Sequence, residues 1–508
     1  MLSITEPRAV DPCPTSFNMA AHVLSNASLQ PDHIALEVLG EEWWSYGQIE
    51  EAVLGLGTGL KALGMKPGER LLMRVGNTPW FPIVYLAAIA VGVVPIPTST
   101  QLTVEEITKM CKGVKPALIV REHGITMPEC RVPVIELDQL KSFRDFPPAN
   151  YVFGKPDRPA YIIFTSGSTG KPRAVVHAHR AIWARQMMWG GWYGLKSTDR
   201  LMHAGSFNWT YTLGAGLMDP WSIGATALIP PDGTPTTKLP ELIAKSRATI
   251  FAATPGVFRQ MMRTDMPPMP KLRHAISAGE SMPYAMKRQW NAAAGTMVFE
   301  AYGMSECSTF ISGSPMRPAP PHAIGYPQPG RRIAILGDDG PVPVGETGHL
   351  GIHNSDPGLF IEYDGQPEET ASKFQGEWFL TGDMCHMDDT GAIYYDGRTD
   401  DMMNAGGYRV SPIEVEDAMA SAEGIRECAA AEVRVKIDAT VIALFYVADT
   451  DLSEDTLSNH AAEKLARYKS PRLFVRVDAL PRNANNKILR RELRGDWERQ
   501  HGQTGHHR

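Results

Sequence analysis

What this 508-residue chain lacks narrows its function before any motif is read. Its six cysteines (Cys13, Cys111, Cys130, Cys307, Cys385 and Cys428) are scattered, and no Cys-x-x-Cys pair occurs. That pattern argues against a zinc cage or a disulfide scaffold and for a reduced, cytoplasmic protein. Basic residues are not in excess: 50 Lys and Arg face 56 Asp and Glu, a net charge of −6, so no nucleic-acid partner is expected. The opening residues, Met1 to Arg8, have no basic segment followed by an apolar one, and no signal peptide is read there. One apolar stretch, Trp80 to Pro97, approaches the span of a bilayer. Gly92, Pro95 and Pro97 break its second half, which predicts a helix, a turn and a short buried strand, with no membrane span. Internal repeats and low-complexity segments are absent. A content of 43% hydrophobic and 21% charged residues is that of a globular protein, and the length allows more than one domain.

What is present is most informative at Tyr161–Pro172. An apolar strand-like run ends in Thr165, Ser166, Gly167, Ser168, Thr169, Gly170 and Lys171. Glycines let backbone N–H groups turn inward, hydroxyls add donors, and a lysine adds mobile positive charge. The result is a cradle for a polyphosphate. It is not a Walker A loop, because only two residues separate Gly167 from Gly170 and Pro172 follows the lysine.

Strand-like and helical segments alternate through most of the length: strands at 70–74, 117–120, 161–164, 226–229 and 250–252, helices at 83–91 and 179–189. This predicts an α/β fold with covered sheets. From about Ala334 the pattern shifts to short strands divided by Gly, Asp and Pro turns, a small β-rich subdomain. A new unit begins after Asp400, where Ser411-Pro412-Ile413-Glu414 has the residues of a helix start. The expected organisation is a large domain, 1–399, of two α/β subdomains plus the β-rich one, and a small mobile α/β domain, 400–508.

Three further constellations carry chemistry. Ala301-Tyr302-Gly303-Met304-Ser305-Glu306 follows an expected strand at 296–300, offering a ring to stack on a base and a carboxylate for Mg²⁺. Asp383, fifteen residues before Arg398, suits the hydroxyls of a ribose. Lys487, on a polar loop before a helix, is placed to bring positive charge to a transferring group.

In this fixed order, from about Phe17 to Arg494, the motifs resemble those of the adenylate-forming superfamily: acyl-CoA synthetases, adenylation domains of peptide synthetases, and luciferases. Within it the chain looks most like benzoate-type and medium-chain acyl-CoA ligases. The resemblance implies a phosphate loop at 165–172 and an adenine-side segment at Ala278, Gly279 and Glu280. It also implies nucleotide contacts along Ala301–Ser305, a ribose aspartate at Asp383 with Arg398, and Mg²⁺ on Glu306 and Thr165. The catalytic lysine falls on Lys487, the hinge on Asp400 and the pantetheine channel on Gly406, Gly407, Tyr408 and Arg409. Two departures stand out. Arg173-Ala174 replaces the family's Lys-Gly, and Asn486 replaces a glycine before the lysine.

The family's two half-reactions follow by implication. A carboxylate attacks the α-phosphate of ATP to give acyl-AMP and pyrophosphate. The small domain then rotates, and the thiol of coenzyme A takes the acyl group. The acid pocket falls on Phe207, Asn208, Trp209 and Tyr211, with Gly303 at its floor. Amino-acid-activating relatives carry Asp where this chain has Asn208, and an unpaired buried ammonium costs on the order of 3–5 kcal/mol, which disfavours α-amino acids. Acetate-specific relatives carry Trp where this chain has Gly303, so a larger acid is expected: aryl or medium-chain. A monomer or homodimer is expected. The alternatives are acyl transfer to a carrier-protein thiol, a luciferase-type oxygenase and a non-catalytic nucleotide-binding module.

Overall fold

The computed structural model of the chain describes residues 1–5, 10–166, 172–399, 401–405, 408–436, 439–482 and 488–501. It is an α/β protein with a large N-terminal domain and a small C-terminal one. The chain divides into two compact units. One comprises Thr5–Ile333 and Ile352–Phe379; the other comprises Met1–Ile4, Ala334–Gly351 and Leu380–Arg508. The β-rich segments around 334–351 and 380–399 thus belong to the same unit as the C-terminal residues.

The larger unit is built on six parallel strands, side by side in the order Ile34–Val38, Thr226–Ile229, Arg200–His203, Ile250–Ala253, His274–Ala278 and Val298–Met304. Thr226–Ile229 and Ile250–Ala253 are buried at every position, as continuous apolar runs covered on both faces must be. Antiparallel strands Ser308–Ser312 and Ala323–Pro327 extend the Val298–Met304 side. A second, wholly parallel sheet holds Val94–Pro97, Arg70–Arg74, Leu118–Arg121 and Val134–Glu136. A third is antiparallel and pairs Pro159–Ser166 with Pro172–Ala178. The apolar stretch at 80–97 forms the helix Trp80–Ala90, a turn and the strand Val94–Pro97. Among the described residues no helix is long and apolar enough to cross a membrane.

Two expected elements differ. The helix expected over 179–189 is only Ala181–Arg185, followed by a wider helical turn at Trp189–Tyr193. Gly190 and Gly191 disfavour a regular helix, and Gly191 lies so close to Gln328 that a side chain there would overlap it. The strand expected at 296–300 runs from Val298 to Met304, so the Tyr302 motif is part of the strand.

The strands Gly340–Pro341, Ile333–Gly337, Gly348–His353, Trp378–Met387 and Ile393–Arg398, most of whose residues belong to the smaller unit, lie in that order. The helix Pro412–Met419 starts as its sequence predicts: the Ser411 side chain accepts the Glu414 N–H, and Pro412 is the first helical residue. A sheet of Glu427–Lys436, Ala439–Val447 and Leu473–Arg476 follows. Its two faces form separate apolar cores, one around Val415, Met419, Ile442 and Leu444, the other around Ala429, Phe445 and Leu493.

Candidate active site

Because the central strands of the larger unit are parallel, their carboxyl ends share one edge, the usual place for a ligand in an α/β sheet. Three predicted segments emerge there. Arg200–His203 leads into 204–213, His274–Ala278 leads into Gly279 and Glu280, and Val298–Met304 carries Tyr302. Ala278 is in register with Ala301 on the neighbouring strand, so the adenine-side segment and the Tyr302 motif are adjacent. Gly279 has φ +97°, a conformation that suits glycine. The Trp209 ring reaches the same spot, 3.5 Å from where a Gly279 Cβ would be.

The strand bearing Tyr302 returns through a tight turn, Met304 pairing with Ser308. Ser308 has φ 60°. At Gly303 an added Cβ would lie 2.3 Å from the Ser308 carbonyl oxygen, so the close approach of two backbones requires glycine here. The Tyr302 ring is half-buried and meets Phe310 edge to face at 5.4 Å. Glu306 sits inside the turn with 6% exposure. The Tyr363 hydroxyl donates to its Oε1 at 2.7 Å, and its backbone oxygen accepts the Phe360 N–H at 2.7 Å. The second carboxylate oxygen has no hydrogen-bond partner among the described residues. Arg173 lies over the Tyr363 ring at 5.4 Å and pairs with Glu369 at 2.6 Å. His177 Nε2 contacts the Ser305 carbonyl at 2.8 Å while its ring stacks on Tyr161 at 4.7 Å. Burial holds His177 neutral, its pKa lowered to about 4. Tyr363, His177 and the stacking role of Arg173 were not read from the sequence. They are remote from Glu306 along the chain, and only the sheet pairing brings them together.

In the acid segment Phe207 is buried against Phe81 at 5.8 Å, and its N–H donates to Asn77 Oδ1 at 2.8 Å. The Asn208 side chain accepts from the Ser206 hydroxyl at 2.6 Å. Tyr211 is deeper, its hydroxyl donating to the Ile276 carbonyl at 3.2 Å, so it belongs to the core behind the segment. A cavity of about 30 Å³ borders Asn208, Thr210, Leu213 and Gly214, with Tyr85, Tyr161, Ile163 and Arg185 among its other walls.

Thr165 and Ser166 end a strand whose antiparallel partner begins at Pro172. Gly167 to Lys171 themselves lie outside the described residues, as do Asp400, Gly406, Gly407 and Lys487. Tyr408 and Arg409 lie in a short strand paired with Asn404 and Ala405.

In the smaller unit Asp383 and Arg398 face each other across neighbouring strands, and Arg398 Nη1 donates to Asp383 Oδ1 at 2.9 Å. Gly382, φ +79°, departs from regular extension within the strand Trp378–Met387, and the Asp383 N–H donates to Thr381 Oγ1 at 3.2 Å. Asp383 is 5% exposed, whereas half of the Arg398 side chain is open to solvent.

Residues 24–363 match the AMP-binding enzyme family, and residues 414–487 match the AMP-binding enzyme C-terminal domain. A benzoate–CoA ligase of Thauera aromatica is 30% identical over 486 residues, covering 89% of this chain and 90% of that protein. An uncharacterised acyl–CoA ligase of Bacillus subtilis is 27% identical over 492 residues, with 89% and 90% covered. The crystal structure of a benzoate CoA ligase from Burkholderia xenovorans superposes with a TM-score of 0.83 at 26% identity, covering 94% of this chain and 100% of that one. Three of the predicted segments therefore stand on the carboxyl edge of a fold this family shares, and the chain belongs to the AMP-binding enzymes.

Proposed function

We infer that the acid activated by this AMP-forming acid–thiol ligase is an aryl carboxylic acid. The reaction is ATP-dependent acyl-CoA ligation through an acyl-adenylate. The observation that carries the aryl reading is the aromatic frame of the acid segment. Phe207 is fixed against Phe81, Trp209 reaches over Gly279, and Tyr85 and Tyr161 wall the cavity beside Asn208. Flat apolar walls suit a ring. The relative named benzoate–CoA ligase, similar over most of both chains, supports the same choice.

The residues fit Mg²⁺. Glu306 is buried with one oxygen held by Tyr363 and the other without a partner among the described residues. Among those residues no group of three or more His, Cys, Asp or Glu side chains is arranged to hold a metal. That suits an ion which keeps waters and phosphate oxygens and takes one or two protein ligands, here Glu306 with Thr165. The ion would screen phosphate charge. In this reading the 165–171 loop holds the β and γ phosphates, Ala278–Glu280 and Ala301–Ser305 border the adenine, and Asp383, oriented by Arg398, binds ribose hydroxyls. Lys487 stabilises charge during adenylation. Asp400 is the hinge between 1–399 and 400–508, and Gly406–Arg409 guide the pantetheine arm.

The test is pyrophosphate release with ATP, Mg²⁺ and coenzyme A over benzoate, substituted benzoates and straight-chain acids from acetate to octanoate. Highest kcat/KM on an aryl acid, with coenzyme A consumed in step, is expected. A maximum on a straight-chain acid would overturn the aryl reading, and release without thioester formation would point to a different acyl acceptor.

A further inference from the structure

We propose that the cavity beside Asn208 and Thr210 is a substituent subsite, which takes a neutral hydroxyl carried on the ring of an aryl acid. The proposal rests on the aryl reading above and adds a chemical group to it.

One wall of this cavity is Arg185, 7% exposed. Its guanidinium has five N–H groups, and it can only donate. Nε donates to Asp219 Oδ1 at 3.0 Å, Nη2 to Asp219 Oδ2 at 2.5 Å and to the Tyr193 hydroxyl at 3.2 Å, and Nη1 to the Ser308 hydroxyl. Those contacts use four N–H groups. The second hydrogen on Nη1 has no acceptor among the described residues. A buried charged donor without a partner is costly, so the cavity is best filled by something that accepts a hydrogen bond.

The charge of that acceptor is constrained. Asp219, fully buried and also receiving the Tyr193 hydroxyl at 2.7 Å, already balances the guanidinium. A second carboxylate would be a buried anion without a counter-charge. A neutral oxygen is left. Its size is constrained too, since about 30 Å³ admits about two water-sized atoms. Its surroundings favour a group that also donates, because Asn208, Thr210 and Ser308 line the same space. A phenolic hydroxyl meets all three conditions. Gly214 preserves the arrangement: a Cβ there would lie 2.3 Å from Arg185 Cζ and push the guanidinium away.

The experiment compares kcat/KM for pyrophosphate release with benzoate, the three monohydroxybenzoates and the three methylbenzoates. One hydroxybenzoate is expected to exceed both benzoate and the methyl acid of the same position by about tenfold or more, the value of a hydrogen bond to a charged donor. The apolar double variant Arg185→Met with Asp219→Leu removes the donor and its counter-charge together. It should turn that ratio over in favour of the methyl acid. Hydroxy acids no better than benzoate at all three positions would overturn the proposal, as would a preference that the double variant leaves intact. Activity on straight-chain acids alone would contradict the aryl reading itself, a result distinct from benzoate serving as well as its hydroxylated forms. If the double variant fails to fold, the wild-type series still decides.

Discussion

The Tyr363 hydroxyl donates to the buried carboxylate of Glu306 across 2.7 Å, joining a two-residue strand to the turn after the Tyr302 motif. That bond fixes one carboxylate oxygen and so decides where the other one points. Tyr363→Phe should lower adenylation kcat/KM by about tenfold, raise the Mg²⁺ concentration needed for half-maximal rate, and cost about 1–3 kcal/mol of stability because the buried carboxylate loses its donor. A magnesium titration of pyrophosphate release checks it; an unchanged titration would remove Tyr363 from the site.

Gly303 answers to backbone packing. With the Ser308 carbonyl 2.3 Å from the place of its Cβ, Gly303→Ala should destabilise the protein by about 1–3 kcal/mol through overpacking. Gly113→Ala is the control. Gly113 lies in the helix Val104–Val114 with nothing within 4 Å of an added Cβ, and alanine there should raise the melting temperature. Thermal denaturation of the two variants should give opposite signs.

Acid should weaken the larger unit. Burial lowers the pKa of His22, His177 and His274 to about 4 and of His179 and His203 to about 3. Folded, these five side chains stay neutral while the unfolded chain binds protons near pH 6.5. Stability contributed by their neutral forms is therefore present above about pH 6.5 and lost as pH falls toward 4. His386 has the opposite sign. Its partner Asp396 raises its pKa, so its contribution is complete below about pH 6.5 and is lost as pH rises through the higher folded value. Denaturant unfolding at pH 7.5, 6.5 and 5 should show a net fall in stability toward acid.

The proposed mechanism assigns the division of labour between the half-reactions to Lys487. Lys487→Ala should abolish pyrophosphate release yet still pass the acyl group from supplied acyl-AMP to coenzyme A. Equal loss of both steps would contradict that role.

The legible part of this molecule was the part written locally. The run at 80–97 could be divided correctly because prolines and a glycine punctuate it, and the helix after Ser411 because its capping residues are consecutive. Strands such as Arg70–Arg74 and Thr226–Ile229 stood out as short apolar runs. The Tyr302–Glu306 motif was legible for the same reason. Its supports were not: Tyr363 is 57 residues away and His177 is 128 residues from Ser305, and neither has a flanking pattern. The Arg185–Asp219 pair escaped because a lone arginine in a helical stretch looks solvent-facing, and only the packing around Gly214 buries it. At Gly303 the hairpin shows a backbone contact that sequence alone does not display.

The most direct test of the account is the intermediate itself. The enzyme would be incubated with ATP, Mg²⁺ and benzoate in the absence of coenzyme A, and the products examined by mass spectrometry before and after coenzyme A is added. The account predicts benzoyl-AMP in the first sample and its conversion to benzoyl-CoA in the second. ATP consumed to ADP with no acyl-adenylate in either sample would contradict it.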